Sequence, residues 1–308
     1  MGPFGLVAGS AAVQVLVDRS DLAAGETLRA TVRITGARRD LAIEEARVRL
    51  VCENEYEWRE STTTSSSRSS STSGTSTTTT TTTRSDVDRQ VISEQRLLEG
   101  GVVSAGTTSE RAISLAVPRD AVPSARGKIT RVRWKVEATL VRRRARDVTQ
   151  QVPIEVRSTP DAAGLVELVD EVTSHGQCEL AFRLEQRAFR GGEAIAGALV
   201  LVPLAECRVN EVRVELERQE KVERGLGNED HASEAALTVA GPLELVPGRS
   251  YECPFRLEVP QDAVPTLRTS QSAVGWRLKG IGSRRMRSDY RVIRELFIYS
   301  GPPSLEEH

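Results

Sequence analysis

Val117-Pro118-Arg119-Asp120-Ala121-Val122-Pro123 decides the fold, because the stretch occurs twice. Its second copy is Val259-Pro260-Gln261-Asp262-Ala263-Val264-Pro265. Each copy is followed, at the same distance, by a tryptophan, Trp134 or Trp276. Proline fixes φ and has no N–H to donate, so two prolines bracketing Asp-Ala-Val cannot lie inside a central strand. Each copy therefore reads as a rigid corner, with Asp120 or Asp262 accepting turn N–H groups. The tryptophan anchors the strand that follows, on its apolar face.

Outward from the first corner the pattern has period two. Leu28, Ala30, Val32 and Ile34 alternate with polar residues, and so do Ala46, Val48, Leu50 and Cys52, continued by Tyr56 and Trp58. Ile113, Leu115 and Val117 run into the corner; Val132, Trp134, Val136, Ala138 and Leu140 run out of it. Such alternation marks strands with one buried face. The return strand carries Val152, Ile154 and Val156, and Pro153 places it at an edge. Residues 158–164 read as a linker. Leu165, Leu168, Val169 and Val172 then fall at helical spacing and predict a short helix, stopped by His175-Gly176.

The second half repeats the first. Gly192-Glu193 echoes Gly25-Glu26, and Phe255, Leu257 and Val259 echo Ile113, Leu115 and Val117. From Ser104 and Val246 onward the halves align without a gap at an offset of 142, the separation of Trp134 and Trp276. Earlier the offset is 167 (Gly25 and Gly192) or 166 (Leu50 and Leu216). The difference is close to the length of a tract, residues 61–83, in which all but Arg68 and Gly74 are Ser or Thr. The tract is thus an insertion in one loop of the first half, matched in the second by the short loop 225–231. With nothing to bury it cannot offset its ordering entropy, and disorder is the simpler reading; a long solvated hairpin extension is the other.

Two all-β units with short strands make two β-sandwiches in tandem. The Gly-Glu turn before an early strand, with the Pro-bracketed corner before a Trp-bearing strand, resembles the arrestin-like superfamily. That group takes in arrestins, retromer-type sorting subunits and bacterial sporulation-control proteins. The linker helix makes the last group the nearest match, and the resemblance covers about residues 11–300. It implies a non-enzymatic adaptor with a cleft between two domains. The expected division is 1–157 for the first sandwich with its insertion at 61–85, 158–175 for linker and helix, 176–300 for the second sandwich, and a tail at 301–308. The chain has no PPxY motif, no clathrin box and no match to the charged cluster of visual-type arrestins, so receptor desensitisation is not implied.

Composition narrows the partners. A formal net charge of −1 gives no reason to expect nucleic acid. No apolar run approaches a membrane span, and residues 1–10 lack the basic segment of a secretory signal. The four cysteines, Cys52, Cys178, Cys207 and Cys253, are scattered without a CxxC pair and read as buried free thiols in a reducing cytoplasm. The motifs of serine hydrolases, P-loop enzymes, zinc peptidases and dinucleotide-binding enzymes are absent, so neither catalysis, cofactor nor metal is expected. His231, beside Glu229 and Asp230, reads as part of an exposed polar loop.

The candidate binding residues are two aligned basic turns: Arg142, Arg143, Arg144 and Arg146 in one, Arg284, Arg285 and Arg287 in the other. Guanidinium clusters suit carboxylate, phosphate or anionic lipid, and the plain alternative is a solvated hairpin tip. The expected role is a cytoplasmic adaptor or regulatory scaffold for protein partners, in sporulation or envelope-stress control. The alternative is a peripheral module that uses the arginine turns on anionic membrane or phosphorylated ligands. A phosphorylated Ser/Thr tract docking on these arginines is a third expectation.

Overall fold

The computed structural model describes residues 12–66, 76–143, 145–165, 167–173 and 176–301. Expectations that fall on residues 1–10, on 67–75 of the Ser/Thr tract, on Arg144, on His175 and on 302–308 lie outside the described residues. The described residues are mostly strand. In order the strands are β1 (Ala12–Val17), β2 (Asp21–Ala23), β3 (Thr27–Thr35), β4 (Leu41–Ser66), β5 (Ser76–Val103), β6 (Thr108–Ala116), β7 (Ala125–Arg126), β8 (Thr130–Arg142) and β9 (Val148–Arg157). A 3-10 turn at Pro160–Leu165 follows. Then come β10 (Asp170–Thr173), β11 (Cys178–Leu184), β12 (Ala188–Arg190), β13 (Ala194–Pro203), β14 (Cys207–Val209), β15 (Glu211–Val222), β16 (Asn228–Ala240), β17 (Leu243–Leu245), β18 (Tyr251–Glu258), β19 (Leu267–Arg268), β20 (Ser272–Ser283) and β21 (Tyr290–Tyr299).

The same strand order occurs twice. A small sheet β1-β3-β6 has its counterpart in β11-β13-β18. A larger sheet β2-β9-β8-β4-β5, with β7 on β8, has its counterpart in β12-β21-β20-β15-β16, with β19 on β20. Even the parallel pairings match, β2 with β9 and β12 with β21. In the second set, β10 adds to β21, and β14 and β17 form a separate ribbon. The alternation read from the sequence is what buries these sheets. Leu28, Val32, Ile34, Val48, Leu50, Val136, Ala138 and Leu140 are wholly or almost wholly removed from water. In the second set, side chains from both sheets, among them Leu199, Leu201, Phe255, Val214, Trp276 and Leu278, form one cluster. Each such aliphatic side chain contributes about 1.5–3 kcal/mol on burial.

The two corners have matching bonds. Ala121 N donates to Pro118 O at 3.2 Å and Ala263 N to Pro260 O at 3.1 Å. Trp134 Nε1 donates to Val122 O at 2.9 Å, and Trp276 Nε1 to Val264 O at 2.8 Å. The indole thus fills the core and satisfies a corner carbonyl. The bond that closes each turn runs to the proline carbonyl and not to the expected aspartate; Asp120 and Asp262 are exposed. A main-chain acceptor was already in place, so the carboxylate stays in water. The Gly-Glu turns are matched too. Gly25 and Gly192 adopt φ of 90° and 83°, which an L side chain resists. Glu26 Oε2 accepts from Ala23 N at 2.7 Å and Glu193 Oε2 from Arg190 N at 2.9 Å.

The chain forms two compact units. One comprises the chain through Asn54, with Val87–Ser124 and Val132–Arg157; the other comprises Glu55–Asp86, Ala125–Arg131 and the chain from Ser158. Inside this second unit, Glu220 is fully buried and accepts three backbone N–H groups, from Lys128 at 2.8 Å, Ile129 at 2.9 Å and Thr130 at 3.3 Å. Arg218 is its ion-pair partner. A buried carboxylate is tolerable only with this degree of satisfaction. Tyr56, Ile129 and Val222 pack together with Trp58. Arg224 stacks 4.2 Å over the Trp58 ring and donates to Tyr56 Oη at 2.7 Å and to Asp86 Oδ2 at 2.6 Å.

Further expectations change. Among the described residues the helix expected over 165–172 is not formed: Leu165 ends a 3-10 turn, and residues 170–173 are strand. Val169 and Val172 are exposed, and the segment pairs with β21 instead. Asp170 there holds Arg187 at 2.7 Å and Arg294 at 3.0 Å. Cross-strand pairing and β-branched side chains outweigh a helical spacing that has no core to face. The Ser/Thr tract is not disordered where described: residues 61–66 and 76–83 continue the β4–β5 hairpin as strand. Threonine favours strand, and the ribbon base below it is packed. Finally, the loop expected at 225–231 is only a turn, and residues 228–231 belong to β16. His231 Nδ1 there lies 2.7 Å from Glu217 Oε1. The strand holding Pro153, β9, is not the sheet edge that was expected, because β2 pairs it at Glu155, Val156 and Arg157; Pro153 lies beyond that pairing, so its missing N–H costs no ladder bond.

Candidate functional site

The two basic turns join β8 to β9 and β20 to β21, corresponding hairpins of the two sheet sets. The first arginine of each turn is used to build it. Asp147 Oδ1 accepts from Arg142 N at 3.3 Å, and Arg142 Nε donates to Arg146 O at 2.5 Å. In the other turn Asp289 Oδ1 accepts from Arg284 N at 3.1 Å, and Arg284 Nε donates to Ser288 O at 2.7 Å. An aspartate five residues on caps the turn, and the guanidinium replaces water on its far carbonyl. The later arginines do not share this work. Arg143, Arg146, Arg285 and Arg287 are exposed, and no ion pair to a described carboxylate holds them. Arginines on the sheet faces differ: Arg33 pairs with Glu110, Arg49 with Glu94, Arg183 with Glu252.

The surroundings of the two turns are unlike. Arg143 N donates to Ala42 O at 3.4 Å, so the first turn abuts the start of β4. Exposed Arg38 and Arg39 lie just before that strand, and Asp40 is engaged by Ala105 N at 2.9 Å. Arg38 and Arg39 were not among the residues singled out in the sequence. Their signal was a basic pair just after Gly36, visible only once β4 is known to border the turn.

The second turn rests on an aromatic ring. The Arg284 guanidinium stacks 4.0 Å over Tyr290, a fully buried side chain, and its Nη1 donates to Tyr290 Oη at 3.1 Å and Gln177 Oε1 at 2.9 Å. Tyr290 Oη donates to Gln177 Oε1 at 3.0 Å. Burial, and then a hydrogen bond and the charge of Cys207, push the Tyr290 phenol up to about 12, against the pull of Arg284. At the tip Met286 takes φ of 56° and is 96% exposed, between Arg285 and Arg287. Leu204, half exposed, is close by: its N–H donates to Gln177 O at 2.8 Å. The second turn therefore presents cations around an apolar tip.

Among the described residues no His, Cys, Asp and Glu cluster is arranged to hold a metal ion, and no helix is long and apolar enough to cross a membrane. Three of the cysteines are buried free thiols, whereas Cys207 is only partly buried.

Fold and turns together define an all-β protein in which one strand order occurs twice, each set of sheets carrying a preorganised basic turn. The model of the SpoOM protein family matches residues 3–178, more than half of the chain. The chain belongs to that family, one of sporulation-control proteins. No curated protein matches the chain.

Proposed function

We propose that the chain is a non-enzymatic regulatory adaptor that binds acidic segments of protein partners on the tip arginines of its two turns. Family membership supports a sporulation-related regulatory role. The observation that carries the binding reading is the division of labour within each turn. Arg142 and Arg284 are consumed by the turn, while Arg143, Arg146, Arg285 and Arg287 are held out without described carboxylate partners. A preorganised turn lowers the ordering cost when a carboxylate or phosphate docks, and guanidinium offers bidentate geometry to either.

A second reading is favoured by one further observation. Met286 is almost fully exposed between two free arginines, a combination that suits the interface of an anionic bilayer. Photo-cross-linking in the native cell separates the two. A photoreactive residue is placed at Ala145 or Ser288, both exposed turn positions. Protein adducts support the adaptor reading; adducts to lipid alone, from position 288, support the membrane reading. No adduct from either position overturns both.

A further inference from the structure

The described structure brings two of the four cysteines together. Cys178 opens β11, and its Cα partner on β13 is Pro203. The chain then folds back over it: Leu204 N and Ala205 N both donate to Gln177 O, at 2.8 and 3.2 Å. Two residues later Cys207 opens β14. This path packs Cys207 against the core cluster that holds Cys178, and the charge of Cys207 acts on the Cys178 thiol. The same charge acts on the Tyr290 phenol. The environments are unequal. Cys178 is fully buried in the core cluster, while Cys207 packs against that cluster and keeps part of its surface. Cys253 is buried on β18, and Cys52 is buried in the other unit.

We propose that Cys178 and Cys207 form a reversible disulfide on exposure to peroxide, with Cys207 as the attacking thiol and Cys178 as the resolving one. The partly exposed Cys207 is the sulfur that an oxidant reaches. Its thiolate attacks one peroxide oxygen; an S–O bond forms, the O–O bond breaks, and hydroxide leaves. Cys207 is then a sulfenic acid. The Cys178 sulfur attacks the Cys207 sulfur, the S–O bond breaks, and the departing hydroxide takes the Cys178 proton as water. Two thiols and one peroxide become one disulfide and two waters, and the peroxide accepts the two electrons. Burial pushes the Cys178 thiol up to about 12, which makes it a poor first attacker and leaves it protonated until the sulfenic acid is adjacent.

The bond would tie β14 to β11 beside Gln177, the residue that receives both Arg284 and Tyr290. Oxidation would thereby act next to the second basic turn. The chemistry stands independently of what that turn binds.

The test uses the full reduced chain with hydrogen peroxide, followed by alkylation without reductant and peptide mass spectrometry. The expected result is loss of two of the four alkylatable thiols, a cross-linked peptide pair holding Cys178 and Cys207, and recovery of all four thiols with dithiothreitol. Cys52 and Cys253 should remain alkylated. In Cys178→Ala the Cys207 sulfenic acid has no resolving partner, so a dimedone adduct should accumulate at Cys207. A Cys207 that stays alkylated, goes to sulfinic acid in wild type, or pairs with Cys253 overturns the proposal. The wild-type result decides the matter even if the variant does not fold.

Discussion

The two basic turns are the most informative comparison in the molecule. Both have an arginine whose N–H is capped by an aspartate five residues on, and whose guanidinium closes on the carbonyl just before that aspartate. Their neighbours diverge. The first lies beside Arg38 and Arg39 and has Val148 where the second has Tyr290. The second stacks its arginine on that ring and raises Met286 at its tip. A shared hairpin scaffold has thus been given two surfaces, one flanked by further arginines and one cationic around an apolar point. Aligned arginines alone did not distinguish them; what packs beneath and beside them does.

The sharpest way to break the comparison is Tyr290→Val, which gives the second turn the residue of the first. It empties a ring-sized volume from the core and removes the platform for Arg284. The expected cost is about 3 kcal/mol, read as a lowered midpoint in denaturant. The corresponding change at Val148 has no such ring to lose.

Removing the leading arginines should come next. Arg284→Ala gives up the stacking and the bonds to Ser288, Gln177 and Tyr290, and is expected to cost about 2 kcal/mol. Arg142→Ala gives up only the bonds to Arg146 O and should cost about 1 kcal/mol. Equal costs would mean that the aromatic platform does not strengthen the second turn.

Alkaline titration sharpens the contrast by a different route. The folded pKa of Tyr290 is raised from 10.0 to about 12, so its contribution to stability is fully present below pH 10 and is lost as pH rises through about 12. Phenolate absorbance should show a late tyrosine, and Tyr290→Val should remove it. Tyr299 is also raised, chiefly by burial, and should persist in the variant.

The smallest expected effect is at the tip. Met286→Gly relieves a left-handed backbone at an exposed site and should stabilise by about 0.5–1 kcal/mol. It should also weaken association with anionic vesicles if the apolar tip enters the bilayer interface.

Much of this was readable from the sequence, for a physical reason. The prolines of the corner, the period-two burial and the Gly-Glu turns are local constraints, and each appears where its residues place it. The turn arginines were readable as candidates because an arginine run between alternating strands can only be a hairpin tip. The unread part depends on partners distant in the chain. The spacing of Leu165, Leu168, Val169 and Val172 looked helical because nothing local revealed β21 as the strand that residues 170–173 join. The Ser/Thr tract looked disordered because the packed base of its ribbon, Tyr56 and Trp58 with Val222 and Arg224, joins residues far apart in sequence. The same holds for Arg38 and Arg39 beside the first turn, and for Cys178 beside Cys207.

The central claim is that the leading arginines build the turns and the tip arginines bind. The most direct measurement compares, in the same preparations, the leading-arginine variants Arg142→Ala and Arg284→Ala with a fourfold reversal of Arg143, Arg146, Arg285 and Arg287 to Glu. Thermal midpoint and quantitative capture of native-cell proteins are read together. The account predicts that the leading-arginine variants lose stability, while the tip variant keeps its midpoint and loses its captured partners. A tip variant that captures the same proteins in the same amounts as wild type would contradict it.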